Sequence, residues 1–392
     1  MQQPSLLPHK SLDSPAEALP ARLTALDSLR GLAIASMVLL NLSAVVLAGV
    51  PPLPLRLIGS LAAAPVFILL SGLMVALTAD RHGLLYFLLG RGLWILAVGA
   101  FVDLVVWRIY PFMGVEVLYI IGVSIPLAYL ALKLAFWPRL GLMVALVALA
   151  PLLRGLLGYS HFPLEFYLWG EQVWQLADPP KLGPVQHWLV DGWFPLFPWL
   201  SFAVLGAHLG ERLQQRGRPA FLLETALLGV ALTVAGAAAY VIAPPNSFVR
   251  GVWSELFYPP TVQFTVLALG VAVLLLALSL RWGGFQVTQA ALRPLAALGR
   301  ASLGLYFLHL ALAVFVGLRV TGGWSQLSLG QYGLAYLAMM LALLAAAEAY
   351  AQVKRRWRPL TFWGLRGLVG AALTAAVILL VLGQVLGDTG FA

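Results

Sequence analysis

Asn41 and His309 are the residues of this sequence best placed to do chemistry, because each interrupts a long apolar run. Strongly polar groups in such runs are costly to bury, so they mark either a working site or a specific hydrogen bond. Asn41 follows Arg30 by eleven residues, which on one helix places it roughly 16 Å deeper at 1.5 Å per residue. Its amide donates and accepts at once, which suits holding a carbonyl, orienting an imidazole or bonding to a neighbouring helix. His309 follows Arg300 by nine residues, hence about 13 Å into its own run. Imidazole is the side chain whose ordinary pKa lies near neutrality, so it can take and return a proton; the plainer alternative is a neutral, hydrogen-bonded core histidine. Tyr306 stands one turn before it. Asp27 and Arg30 are three apart on one helix face, the spacing of a salt bridge at the entry to a span. Glu255 opens a further run inside Trp253–Thr261, beside Pro259-Pro260, so Trp253, Glu255 and Tyr258 suit a helix start that faces a cavity.

The elements that must position these groups are set by composition. The chain has 392 residues, of which 61% are hydrophobic and 10% charged; soluble proteins carry about 25% charged residues. Runs of about 20 apolar residues are long enough to cross a bilayer. Eleven occur, near 27–49, 57–79, 84–107, 115–134, 140–157, 193–211, 220–243, 256–280, 294–318, 331–351 and 362–386. Lipid offers no water to backbone groups, so these are helices, and the alternating pattern of a transmembrane barrel is missing. The expected fold is all-α: a polytopic membrane bundle of about eleven transmembrane helices. Residues 1–24 are polar and Pro-rich and read as a disordered cytoplasmic tail, and residues 25–392 as one transmembrane domain. The first apolar run is too long for the core of a cleavable signal.

The formal charge of +9 does not indicate a nucleic-acid partner, because the basic residues follow the topology. With odd-numbered turns cytoplasmic, most of them fall on that side, and the other keeps only Arg56, Arg108, Arg154, Lys181, Arg250 and Arg319. The positive-inside rule then gives a cytoplasmic N-terminus and an external C-terminus. Lys354, Arg355, Arg356 and Arg358 would face anionic lipid or attract a cytosolic polyanion. The longest external loop, about 158–192, mixes aromatic rings with acids and amides, as a sugar platform or an interfacial belt does. The chain has no cysteine, which excludes disulfides, thiolate metal sites and an acyl-cysteine intermediate. No two histidines share a helix at ligand spacing, so no metal is expected. Arginine outnumbers lysine, which points to a GC-rich bacterial genome and hence to a bacterial cytoplasmic membrane.

Leu26-Asp27-Ser28-Leu29-Arg30-Gly31-Leu32-Ala33, running on to Asn41, resembles the first span of the heparan-α-glucosaminide N-acetyltransferase family, within the wider transmembrane acyltransferase superfamily. Pro65–Gly72, Val115–Gly122, Phe194–Trp199 with Leu205–Gly210, Trp253–Thr261 and Gly299–His309 resemble later segments in the same order, over about residues 22–320. The resemblance implies an eleven-span protein that takes an acyl group from cytosolic acetyl-CoA, or another acyl-CoA, to an amine or hydroxyl of a sugar-like or lipid-linked acceptor on the far side. It implies a catalytic Asn41, with His309 matching a histidine of a later span. The family's catalytic histidine shortly after the asparagine has no counterpart here, since residues 42–66 contain none.

The expected activity is therefore acyl transfer, with Asn41 steadying an oxyanion and His309 moving the proton or briefly carrying the acyl group. Arg30, with Asp27 and Arg300, would hold the CoA phosphates. Trp253, Glu255, Tyr258, Tyr306 and Trp199 would hold the acceptor. The expected partners are the lipid bilayer, acyl-CoA and that acceptor, with a homodimer as the candidate assembly. The competing expectations are a transporter or flippase using the same polar groups, and a non-catalytic protein that keeps the fold.

Overall fold

The computed structural model describes residues 24–176, 178–244, 256–283 and 290–356. Among these every regular element is helical, and strand-like pairing is confined to isolated bridges at Leu47–Leu327, Ile109–Tyr167 and Phe166–Gln172. The helices are α1 (Thr24–Val46), α2 (Leu53–Ala62), α3 (Ala64–Ala76), α4 (Leu93–Val102), α5 (Val117–Leu132), α6 (Phe136–Leu157), α7 (Pro184–Gln186), α8 (Leu196–Gln215), α9 (Arg218–Ile242), α10 (Val262–Trp282), α11 (Arg293–Arg300), α12 (Ser302–Phe315) and α13 (Leu329–Arg356). Wider π-helical turns occupy Tyr86–Gly92, Asp103–Trp107, His187–Asp191 and Val316–Val320.

Seven described segments are long and apolar enough to cross a membrane, or up to nine if each of two bent pairs is one span. The sequence leads one to expect eleven. Of the other two, α5 has 16 residues, short for a span, and 362–386 lies outside the described residues. The expected straight span over 294–318 is instead α11 and α12, bent by 87°. The cause is the pattern of α11: Ala296–Gly299 are buried while Arg293 and Arg300 are exposed. This amphipathic segment lies against α1 and does not continue the line of α12. α2 and α3 form a span broken at Ala63 (φ −90°, ψ −95°). Pro65 sits in the first turn of α3, where its missing N–H is harmless but a continuous helix through it would lose a bond.

α1 runs through the middle of the bundle and touches α2, α3, α10, α11, α12 and α13. Helices in lipid gain little by hiding apolar faces from one another, so small residues that allow close approach decide where they cross. A Cβ on Gly31 would stand 1.8 Å from Leu295 O, and one on Gly299 1.8 Å from Asp27 O, so α1 and α11 meet backbone to backbone. At the crossing of α3 and α8, a Cβ on Gly72 would lie 1.8 Å from Ala203 O and one on Gly206 1.9 Å from Leu69 O. α13 is tied to α1 by two phenols: Tyr332 Oη donates to Leu39 O (2.6 Å) and Tyr336 Oη to Ala35 O (3.3 Å).

Gly206→Val should force α3 and α8 apart and cost at least the roughly 1–3 kcal/mol typical of overpacking. The readout is the thermal midpoint of the detergent-purified protein. Gly304→Ala, on α12 with nothing within 4 Å of the added carbon, should leave the midpoint unchanged or raise it.

Candidate functional site

A cavity of about 460 Å³ opens between α1, the α2–α3 break, the Trp107–Val117 segment and the long loop before α7. Asn41 is on its wall, one turn before the end of α1. His309 is not on the wall; it is 1% exposed on α12, directly behind Asn41. Asn41 Nδ2 lies 3.0 Å from His309 Nε2, and His309 Nδ1 lies 3.1 Å from Leu305 O. A carbonyl only accepts, so the network assigns the ring hydrogen to Nδ1, and Nε2 of the neutral ring accepts from the Asn41 amide. Asn41 keeps a second N–H and its carbonyl oxygen for a ligand. Tyr306 packs edge-on to His309, 5.4 Å between ring centres, and faces the cavity.

The long loop supplies much of the opposite wall. Glu165 is buried there, its Oε1 accepting from Trp193 Nε1 (2.8 Å) and its Oε2 from Trp174 Nε1 (3.0 Å). The carboxylate comes so close to Gly114 that a Cβ at that position would stand 1.7 Å from Oε1. A buried clasp fixes this arrangement. His187 Nδ1 donates to Asp191 Oδ1 (2.6 Å), and Asp191 Oδ2 accepts from Gln186 Nε2 (2.7 Å) and Ser160 N (3.0 Å). The free lone pair of His187 Nε2 then accepts from Leu164 N (2.8 Å), the residue before Glu165. The loop also pairs with the segment after α4 through Tyr110 N to Phe166 O (2.9 Å) and Leu168 N to Arg108 O (3.0 Å). Trp107, Trp174, Trp193, Tyr167 and Tyr258 give the cavity an aromatic lining. The Trp107 Nε1–H is enclosed and makes no hydrogen bond among the described residues, so it is left for a ligand.

The residues singled out from the sequence divide into four groups. Asn41, His309, Tyr306 and Tyr258 come together at the cavity. Trp199 does not reach it: it is fully buried one layer behind, in ring contact with Phe194 and Phe257, which do line it. Asp27, Arg30 and Arg300 lie at the other end of α1, where Arg30 Nη1 pairs with Asp27 Oδ1 at 3.0 Å and Arg300 is exposed. The cavity reaches along α1 only as far as Met37. Trp253 and Glu255 lie outside the described residues. Glu116, Glu165, Trp174 and Trp193 are added by the structure. For Glu165 and Trp174 the signal in the sequence was the mixed acidic and aromatic character of 158–192, which could not say which members face inward; Glu116 stood out only as a carboxylate flanking the turn after the third apolar run, and Trp193 gave no signal. Among the described residues no group of three or more His, Asp or Glu could hold a metal ion.

The profile of the heparan-alpha-glucosaminide N-acetyltransferase catalytic domain matches residues 22–245. The chain belongs to this family. The match covers α1 through α9 and ends before Trp253–Thr261 and Gly299–His309, so membership rests on the Asn41 half of the cavity and not on the His309 half. No curated protein matches the chain. As a member of this family it is an integral membrane protein of the acetyltransferase type.

Two outcomes test the geometry. Asn41→Ala and His309→Ala should each lower the thermal midpoint, and the double variant should lose less than the sum, with a coupling of about 0.5–1.5 kcal/mol. Asp191→Asn replaces an oxygen that accepts two N–H groups with one that meets them less well, so limited proteolysis near the exposed Trp169–Glu171 tip should accelerate.

Proposed function

We propose that this chain transfers an acyl group, acetyl in the simplest case, from acyl-CoA to an amine or hydroxyl of a sugar-like or lipid-linked acceptor. The observation that carries the reading is the Asn41 amide on the wall of the cavity, oriented from behind by His309. A fixed N–H aimed into a largely apolar cavity stabilises the oxyanion that forms when a nucleophile attacks a thioester carbonyl, and there it acts more strongly than in water. His309 acts through Asn41: both of its ring nitrogens are engaged, so it sets the direction of the amide. The aromatic lining suits the apolar faces of a sugar, with Tyr258, Tyr306 and Tyr167 offering hydroxyls.

In this reading the protein crosses a bacterial cytoplasmic membrane eleven times with the Arg30 end inside. The CoA phosphates lie against Arg30 and Arg300, with Asp27 steadying Arg30. Met37 is seven residues beyond Arg30, about 10 Å along α1, so a donor entering from that end requires the helices below Met37 to part. Trp253 and Glu255 bind the acceptor together with Tyr258, and the protein works as one copy or as a homodimer.

The test is acetyl-CoA binding to the detergent-purified protein by calorimetry, followed by release of the CoA thiol with amine and hydroxyl acceptors. Binding weakened by Arg30→Ala, with turnover that falls about 10²–10³-fold in Asn41→Ala, is expected. No binding of acetyl-CoA or of longer acyl-CoAs sinks the reading and leaves a transporter in its place.

A further inference from the structure

A thioester carbonyl under attack becomes an oxyanion, and sites that stabilise such an oxygen bring more than one donor to it. Asn41 supplies one N–H, so a second donor is needed beside it. The indole N–H groups of Trp174 and Trp193 are spent on Glu165. The hydroxyls of Tyr167 and Tyr258 are carried by the long loop and by the segment before α10. Trp107 keeps a free N–H, but it stands on the turn after α4, whereas Tyr306 is packed on the histidine that orients Asn41. Tyr306 is only 7% exposed, yet it lines the cavity. Its hydroxyl makes no hydrogen bond among the described residues and is not one of the enclosed polar atoms, so it opens on the cavity. We infer that the Tyr306 hydroxyl is the second oxyanion donor of this site, acting with Asn41 on the thioester carbonyl. The inference rests on the acyltransferase reading above.

Asn41 and Tyr306 are set against one ring. His309 is held at both nitrogens, by Leu305 O (3.1 Å) and by the Asn41 amide (3.0 Å). Tyr306, one turn earlier on α12, packs edge-on to that ring with 5.4 Å between ring centres. The amide and the phenol therefore keep their relation to each other without help from the long loop. Glu116, on the wall formed by the Trp107–Val117 segment, lies within electrostatic reach of the phenol, which places the hydroxyl on the cavity side of the ring. A phenol ordinarily titrates near pH 10, so at neutral pH it enters as a donor. A buried hydroxyl with no partner in the protein adds nothing to stability. A phenylalanine would pack there as well, so the oxygen is kept for a ligand.

The step balances as follows. The acceptor's lone pair bonds to the thioester carbon, and the carbonyl pair moves onto oxygen. There the Tyr306 O–H and the Asn41 N–H each donate a hydrogen bond and keep their protons. The oxyanion collapses, the C–S bond breaks, and the CoA thiolate leaves. The acceptor's proton passes through water to that sulfur, so acyl-S-CoA and H–nucleophile become acyl–nucleophile and HS-CoA.

The experiment compares the wild-type protein with Tyr306→Phe in detergent, a change that removes one oxygen and keeps a ring on His309. The acceptor probes are glucosamine, N-acetylglucosamine and phosphatidylethanolamine. The readouts are CoA thiol release, acetyl-CoA affinity, thermal midpoint and the infrared carbonyl band of bound acetyl-CoA, isotopically labelled at its carbonyl carbon. Tyr306→Phe should lower kcat by about 10²–10³-fold at unchanged acceptor KM and acetyl-CoA affinity. The midpoint should stay equal or rise, and the carbonyl band should move toward its position in free acetyl-CoA. A packing role would not move that band at an unchanged midpoint. A wild-type kcat in Tyr306→Phe, a rise in acceptor KM alone, or a kcat loss that follows a lower midpoint overturns the assignment while leaving acyl transfer standing. No acetyl-CoA binding and no turnover by the wild-type protein overturns both.

Discussion

A helix bundle in lipid has to adhere without water to push its apolar faces together, and in this protein the solution is contact of backbone with backbone. Gly31 and Gly299 let α11 press on α1, and Gly72 and Gly206 let α8 press on α3. The first contact fixes one end of α1; the second fixes the helix that carries Trp199 and its aromatic surroundings behind the cavity. With α1 held along its length, Asn41 arrives at one depth and one rotation, and a single hydrogen bond to His309 suffices to orient it. The segments by which the sequence resembles its family are in large part these packing residues. Family membership therefore speaks first for the scaffold.

The helices were legible in the sequence because apolar length is a strong signal, and so was the depth of Asn41 and of His309 in their own runs; that their side chains meet was not. The course of the chain between breaks was not. Residues 294–318 are continuous in apolar character, and only the arginines at both ends of α11 hint that it turns by 87°. Trp199 was expected among the acceptor contacts, but in a core of Phe194, Phe202, Phe257 and Phe264 it is packing. Glu165 and Trp174 are separated by nine residues of loop, and no periodicity brings them together. That takes the bonds from Ser160 and Leu164 to the Asp191–His187 pair and the pairing with residues 108–110, all of which are long-range.

The polarity of the site is one-sided. Its charged residues among those described are carboxylates, while the lysines and arginines described here stay off the wall. An anionic group would meet Glu116 and Glu165 in surroundings that screen little, and a neutral or cationic one would not.

The π-helical turn at Asp103–Trp107 has a consequence of its own. A turn of that kind holds one residue more than a turn of the α-helix before it, so the residue that ends it is rotated by about 100° relative to an uninterrupted helix, and the chain leaves at Arg108 in that direction. Asp103 faces inward, where its carboxylate accepts from Tyr119, and Trp107 still reaches the cavity. Among relatives, a deletion of one residue here would reshape the pocket more than most substitutions in it, so the spacing of this chain, as much as its lettering, encodes what it can bind.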